Sequence, residues 1–216
     1  GVINRIFLEH TRELGKTLEE IAENKSAIMT GDQTAVFTSK QEEEVLKVLR
    51  SRAEVCQTPL YEYGRNFWCE DIRYTQKGMI FDVVTRKTRY VDIQLPLLGT
   101  YQAENCALAI ALCEMELGVL EEAKVKQALK YLEWPGRLEV LSADPLMLLD
   151  ACINRASCRN VLEALEQLGV NQVTTIIGIP SDKDYLGVAE AMKKVSVHMI
   201  LTKSQNAHYK FGTEQV

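Results

Sequence analysis

The sequence predicts an α/β fold, and three observations lead there. Short runs rich in β-branched and aromatic residues alternate with stretches whose apolar residues recur at helical spacing. A middle block, about 60–98, instead reads as several short strands separated by turn residues. The chain has 216 residues, 46% hydrophobic and 25% charged, enough apolar material for two compact cores.

Taken in order, residues 2–9 form an apolar run ending at His10 and read as a strand. Thr17 with Glu20 three residues on has the spacing of a capping box. The helix behind it carries Leu18, Ile21, Ala22, Lys25 and Ile28 along one side. Residues 35–38 make a brief strand, and a charged helix over about 41–52 follows, with Val45, Leu46, Val48 and Leu49 as its apolar residues. In the middle block the strands are Tyr63, Phe67 and Trp68, then 79–84, then 89–95, with turns at Gly64 and Gly78. A small antiparallel sheet fits them. Helices return at about 102–117 and 120–132.

Trp134-Pro135-Gly136-Arg137 then breaks the helical pattern and marks a candidate domain boundary, dividing the chain into 1–136 and 137–216. Beyond it come strands at 138–142 and 146–150, an amphipathic helix with Leu162, Leu165 and Leu168, and a buried strand at 173–179. A helix around 188–194 and a strand at 199–202 follow, whereas 203–216 carries no pattern of either kind. The alternation predicts a parallel sheet with helices on its faces.

The net charge of −5 is spread along the chain, with no Lys/Arg run of the kind that marks a nucleic-acid or membrane-surface partner. No apolar stretch reaches the roughly 18–20 residues that a bilayer span needs, and the start lacks a signal-peptide layout. Six cysteines without a Cys-x-x-Cys pair read as reduced thiols of a cytoplasmic protein rather than as zinc ligands. Asp150 closes one apolar strand, and Asp182-Lys183-Asp184 follows another. In open parallel sheets ligands bind beyond the carboxyl ends of strands, so both clusters are expected at one sheet edge. Taken singly, each candidate has a plain reading as well. His10 fits a partly exposed histidine, Lys25 a solvated helix face, Arg137 a hinge charge, and the acidic clusters turn chemistry.

The combination is more specific. Leu8-Glu9-His10-Thr11-Arg12-Glu13-Leu14-Gly15-Lys16-Thr17 running on to Ile21-Ala22 and Lys25, then Gly99-Thr100-Tyr101-Gln102-Ala103-Glu104-Asn105, then Trp134-Pro135-Gly136-Arg137-Leu138-Glu139, Leu149-Asp150 and Asp182-Lys183-Asp184 occur in one order. In that order they resemble the folylpolyglutamate synthase/dihydrofolate synthase family of the Mur ligase superfamily. The resemblance implies the second half of a central ATPase domain with its small antiparallel sheet, followed by part of a Rossmann-like α/β C-terminal domain. It implies an ATP-dependent ligase that joins L-glutamate to a folate or dihydropteroate carboxylate through an acyl phosphate, with ATP and Mg²⁺ as cofactors, in a cytoplasmic monomer. By the same resemblance His10 is a magnesium ligand and Lys25 a carbamylated lysine. Asn105, Asp150, Asp182 and Lys183 contact ATP, and Arg137 clamps its phosphates. The rigid donor fork of an arginine suits that work.

Two departures stand out. The phosphate-binding loop Gly-x-x-x-x-Gly-Lys-[Ser/Thr] is absent, and the family's loop lies upstream of the position where this chain begins. The resemblance therefore implies a piece of a longer protein, lacking that loop region and the C-terminal end and inactive alone. The family's Ala-His-Asn also reads Cys152-Ile153-Asn154 here, and isoleucine offers neither charge nor hydrogen bond. The competing readings are a non-catalytic nucleotide- or partner-binding paralogue, which Ile153 favours, and a Mur-type peptidoglycan-precursor ligase.

Overall fold

The computed structural model describes residues 1–8, 11, 13–203 and 205. The capping box forms as its spacing predicts. Thr17 Oγ1 accepts from the Glu20 amide at 3.2 Å, and the Glu20 carboxylate accepts from the Thr17 amide at 3.3 Å, which starts α1 (Leu18–Ser26). The helix ends before Ile28, which is exposed. Three short strands, β1 (Val2–Ile3), β2 (Val36–Thr38) and β3 (Leu60–Glu62), run parallel in the order β1-β2-β3. Helix α2 (Glu43–Val55) packs with α1 against Ile3, Ile6, Met29 and Val36, contributing Val45, Leu49 and Ala53 to one core.

Two expectations change here. The first strand stops at Ile3 because side chains capture the backbone beyond it. The Arg5 amide donates to Asn4 Oδ1 at 2.7 Å and the Ile6 amide to Gln41 Oε1 at 2.8 Å, while Gln41 Nε2 donates to the Asn4 carbonyl at 2.9 Å. Residues 60–62 belong to the parallel sheet through β2, so the texture change at about residue 60 begins a few residues later. The middle sheet comprises β4 (Phe67–Thr75), β5 (Gly78–Thr85) and β6 (Arg89–Leu95) in sequence order. Links this short can join only antiparallel neighbours. Gly78 (φ +134°) is required where β5 begins, since a Cβ there would lie 2.1 Å from the Leu95 carbonyl oxygen. Helices α3 (Thr100–Leu117) and α4 (Glu122–Leu129) follow.

The chain divides into two compact units: Gly1–Ile72 with Phe81–Ile93 and Ala103–Ala128, and Arg73–Ile80 with Gln94–Gln102 and Leu129–Val216. In the second unit β7 (Glu139–Ala143) and β8 (Leu146–Leu149) form an antiparallel hairpin. Helix α5 (Arg155–Gln167), β9 (Val173–Ile177), α6 (Tyr185–Met192) and β10 (Ser196–Leu201) complete it, β9 and β10 pairing in parallel. Cys158, Leu165, Ile177, Val188 and Met192 form the core beneath that pair, and Leu98, Leu138 and Ala164 form a second cluster. The sequence expectation of a single parallel sheet holds for β9 and β10 alone. Only Asp144 and Pro145 separate β7 from β8, and a two-residue link closes a hairpin rather than a crossover. Asp150 and Asp182 therefore do not end strands of one sheet. Among the described residues no helix is long and apolar enough to cross a membrane.

Candidate functional site

The chain break at Trp134–Glu139 is a structured turn. Gly136 (φ +73°) donates its amide to Glu139 Oε2 at 2.8 Å and accepts at its carbonyl from the Ala151 amide at 2.9 Å. Leu138 also sits in the left-handed region, at φ +50°, a conformation that costs a non-glycine residue about 1–2 kcal/mol. Two contacts hold it there. Its amide donates to Asp150 Oδ2 at 2.9 Å, and its side chain, 1% exposed, is buried with Leu98 and Ala164. The turn thus fixes the Asp150 carboxylate one residue from Arg137, whose side chain remains exposed.

Tyr101 lies within the field of both groups. Burial pushes its phenol up to about 12; the Asp150 carboxylate pushes in the same direction and the Arg137 guanidinium opposes it. The turn thus carries a guanidinium and holds a carboxylate, and the Tyr101 phenol of α3 is within electrostatic reach of both. Such a set can hold an anionic, hydroxyl-bearing ligand: the guanidinium forks onto phosphate oxygens and the carboxylate accepts from hydroxyls.

The loop after β8 leads directly into α5. Asn154 caps the helix, its Oδ1 accepting from the Ser157 amide at 2.7 Å, while the Ser157 hydroxyl faces the Asn154 amide at 3.3 Å. Ile153, just before the cap, is 43% exposed and presents carbon to solvent. The Arg155 amide donates to Asp184 Oδ2 at 3.0 Å, and Asp184 Oδ1 caps α6 by accepting from the Gly187 amide at 3.0 Å. The Asp150 loop and the Asp182-Lys183-Asp184 loop are thus brought together by a backbone-to-carboxylate bond rather than by a shared sheet edge. Asp182 pairs with Lys183 at 3.3 Å.

Lys25 lies on the last turn of α1 and Asn105 near the start of α3, both partly buried. The expectation for His10 falls outside the described residues. Among the described residues, no group of three or more His, Cys, Asp or Glu side chains could hold a metal ion. Sequence reading gave no role to Tyr101 or Leu138 and named Asp184 only as part of the 182–184 cluster. Tyr101 stands inside the Gly99–Asn105 motif and could have been singled out there. A leucine in a left-handed conformation leaves no signal in sequence.

Comparison with known proteins agrees with this organisation. Residues 1–113 match the Mur ligase middle domain. Over 197 residues the chain is 31% identical to the "Probable bifunctional folylpolyglutamate synthase/dihydropteroate synthase" of Halobacterium salinarum, covering 89% of this chain and 23% of that protein. Over 196 residues it is 28% identical to the folylpolyglutamate synthase of Lacticaseibacillus casei, covering 89% of this chain and 46% of that one. The solved structure of Mycobacterium tuberculosis folylpolyglutamate synthase complexed with ADP aligns with a TM-score of 0.86 at 25% identity, covering 95% of this chain and 47% of that chain. The chain spans less than half the length of each of these relatives. With more than half of its residues matched and the mixed α/β architecture shared, the chain belongs to the Mur ligase middle domain family.

Proposed function

We propose that this chain is part of an ATP-dependent ligase that joins L-glutamate to the carboxylate of a folate or dihydropteroate. The observation that carries the reading is the turn at 134–139, which holds the Asp150 carboxylate beside Arg137 in a chain similar to folylpolyglutamate synthases. In the reaction a folate carboxylate oxygen attacks the γ-phosphorus of ATP, and ADP leaves. The glutamate nitrogen then attacks the acyl carbon, phosphate departs, and the amide remains. Arg137 neutralises charge on the transferring phosphoryl group, where electrostatic stabilisation does most of the catalytic work. Asp150 holds the turn that aims Arg137 and accepts from the nucleotide. Asn105, Asp182 and Lys183 complete the nucleotide contacts, His10 is a metal ligand, and Lys25 is the site of carbamylation. Residues 1–136 are the second half of the ATP-binding domain and 137–216 part of a Rossmann-like glutamate-ligase domain. Magnesium accompanies ATP, and the protein works as a cytoplasmic monomer.

The test is ADP release by the protein that contains this chain, with and without folate and glutamate. Arg137→Ala should lower the folate-dependent rate about ten- to hundredfold, the loss of one hydrogen bond to a charged group worth roughly 1.5–3 kcal/mol. ADP release that ignores folate, or a rate unchanged by Arg137→Ala, would overturn the proposal.

A further inference from the structure

Two helices of the second unit begin at one carboxylate. Asp184 caps α6, its Oδ1 accepting from the Gly187 amide at 3.0 Å, while its Oδ2 accepts from the Arg155 amide, the first of α5, at 3.0 Å. A helix start leaves such an amide without an intrahelical acceptor, so a group outside α5 has to supply one. The partial positive charge of both helix starts favours an anion at that point. Loop 180–184 is wound to deliver it. The Lys183 amide donates to the Pro180 carbonyl at 3.1 Å. The Tyr185 amide donates to the Lys183 carbonyl at 2.9 Å across Asp184 (φ −79°, ψ 57°), which makes an inverse γ-turn. Gly187 leaves the space, since a Cβ there would lie 2.2 Å from Asp184 Oδ2 and 2.5 Å from Oδ1.

We propose that Asp184 is a positioning residue that clamps the loop carrying Asp182 and Lys183 to the start of α5. The role rests on the ligase reading, in which Asp182 and Lys183 contact ATP. Both oxygens of Asp184 are engaged by backbone amides, so it acts through its neighbours rather than on the substrate. Lys183 precedes it in the chain, and the loop from Asp150 to Asn154 leads into Arg155 on the other side of the clamp. Loosening the clamp therefore lets Lys183 and Asp182 drift from the α5 start while the helices themselves stay formed. Asparagine separates the two duties of the residue. It keeps one oxygen for the Gly187 amide, and so the α6 cap, but its NH₂ group cannot accept from the Arg155 amide.

Amide hydrogen exchange on the 216-residue chain reads the clamp. In Asp184→Asn the Arg155 amide should exchange about tenfold faster or more, while the Gly187 amide stays within about threefold. Gly187→Ala, which alters no charge, should free the Arg155 amide as well. Steady-state kinetics on the protein that contains this chain reads the role. Asp184→Asn should raise KM for ATP about tenfold while kcat stays within about twofold. Glu190→Gln removes the exposed Arg155–Glu190 pair, another link between α5 and α6, and should leave both values unchanged. An Arg155 amide that ignores Asp184→Asn overturns the clamp. A freed Arg155 amide with an unchanged KM for ATP makes Asp184 a helix cap alone and overturns the positioning role. A fall in kcat at constant KM, as a loss of folded protein would give, overturns it too. Wild-type ADP release that ignores folate defeats the ligase reading instead, and the exchange comparison still decides the clamp.

Discussion

The two parallel sheets are built to different plans. In the first unit all three residues of β2, Val36, Phe37 and Thr38, are buried, so that strand is covered on both faces. In the second unit β9 alternates: Ile177 is buried, whereas Ile176 is 67% exposed beside its register partner Ile200, 50% exposed. A strand covered on both sides needs consecutive apolar residues, while one covered on a single side tolerates Thr at every other position. The difference teaches where substitutions will be felt: throughout β2 and the helices over it, but on one face only of β9 and β10.

The largest test of that contrast is Leu49→Ala on α2, where the side chain is fully buried. It should cost about 2–5 kcal/mol in chemical denaturation, whereas Ile176→Ala should stay within about 0.5 kcal/mol. Equal losses at the two sites would break the comparison.

The caps sharpen it at smaller scale. Thr17→Ala and Asn154→Ala each remove an acceptor for an amide three residues on and should each cost about 0.5–2 kcal/mol. Thermal unfolding should show the Asn154 loss and the Thr17 loss as similar in size, since both boxes close in the same way.

Alkaline titration compares the units most gently. Burial pushes the phenols of Tyr90 in the first unit and Tyr101 in the second up to about 12. In each folded unit the neutral form is favoured, so the stability these residues contribute is fully present below the ordinary value of 10.0. It is lost as pH rises through about 12. Near-ultraviolet absorbance of Tyr→Phe variants should assign two late-titrating groups. Tyr101 ionising at its ordinary value would mean that water reaches the 134–139 turn more freely than its burial implies.

Much of this was legible in the sequence, and the rest was hidden for definite reasons. Thr17-x-x-Glu20 announced α1, and the turn residues of the middle block announced its strands, because local chemistry decided both. The end of β1 was hidden since Asn4 and Gln41, distant in sequence, jointly capture the backbone. Asp150 and the 182–184 loop were expected at one sheet edge, yet β8 and β9 lie in different sheets, and Asp184 is tied instead to the Arg155 amide at the start of α5, a bond that no periodicity encodes. The motif around Arg137 was visible as a string, while the left-handed Leu138 that gives the motif its shape was not. For Lys25 and Asn105 the sequence supplied a helix and a place on it, and the structure supplies the same.

The α1 cap also acts as a phase reference. A helix advances about 100° around its axis with each residue, so the direction of any side chain depends on where the count begins. Thr17 and Glu20 fix that origin for Lys25, the last basic residue of the helix. Inserting or deleting one residue between positions 17 and 25 would leave composition and charge almost unchanged, yet it would swing that ammonium group about a quarter turn away from its present bearing.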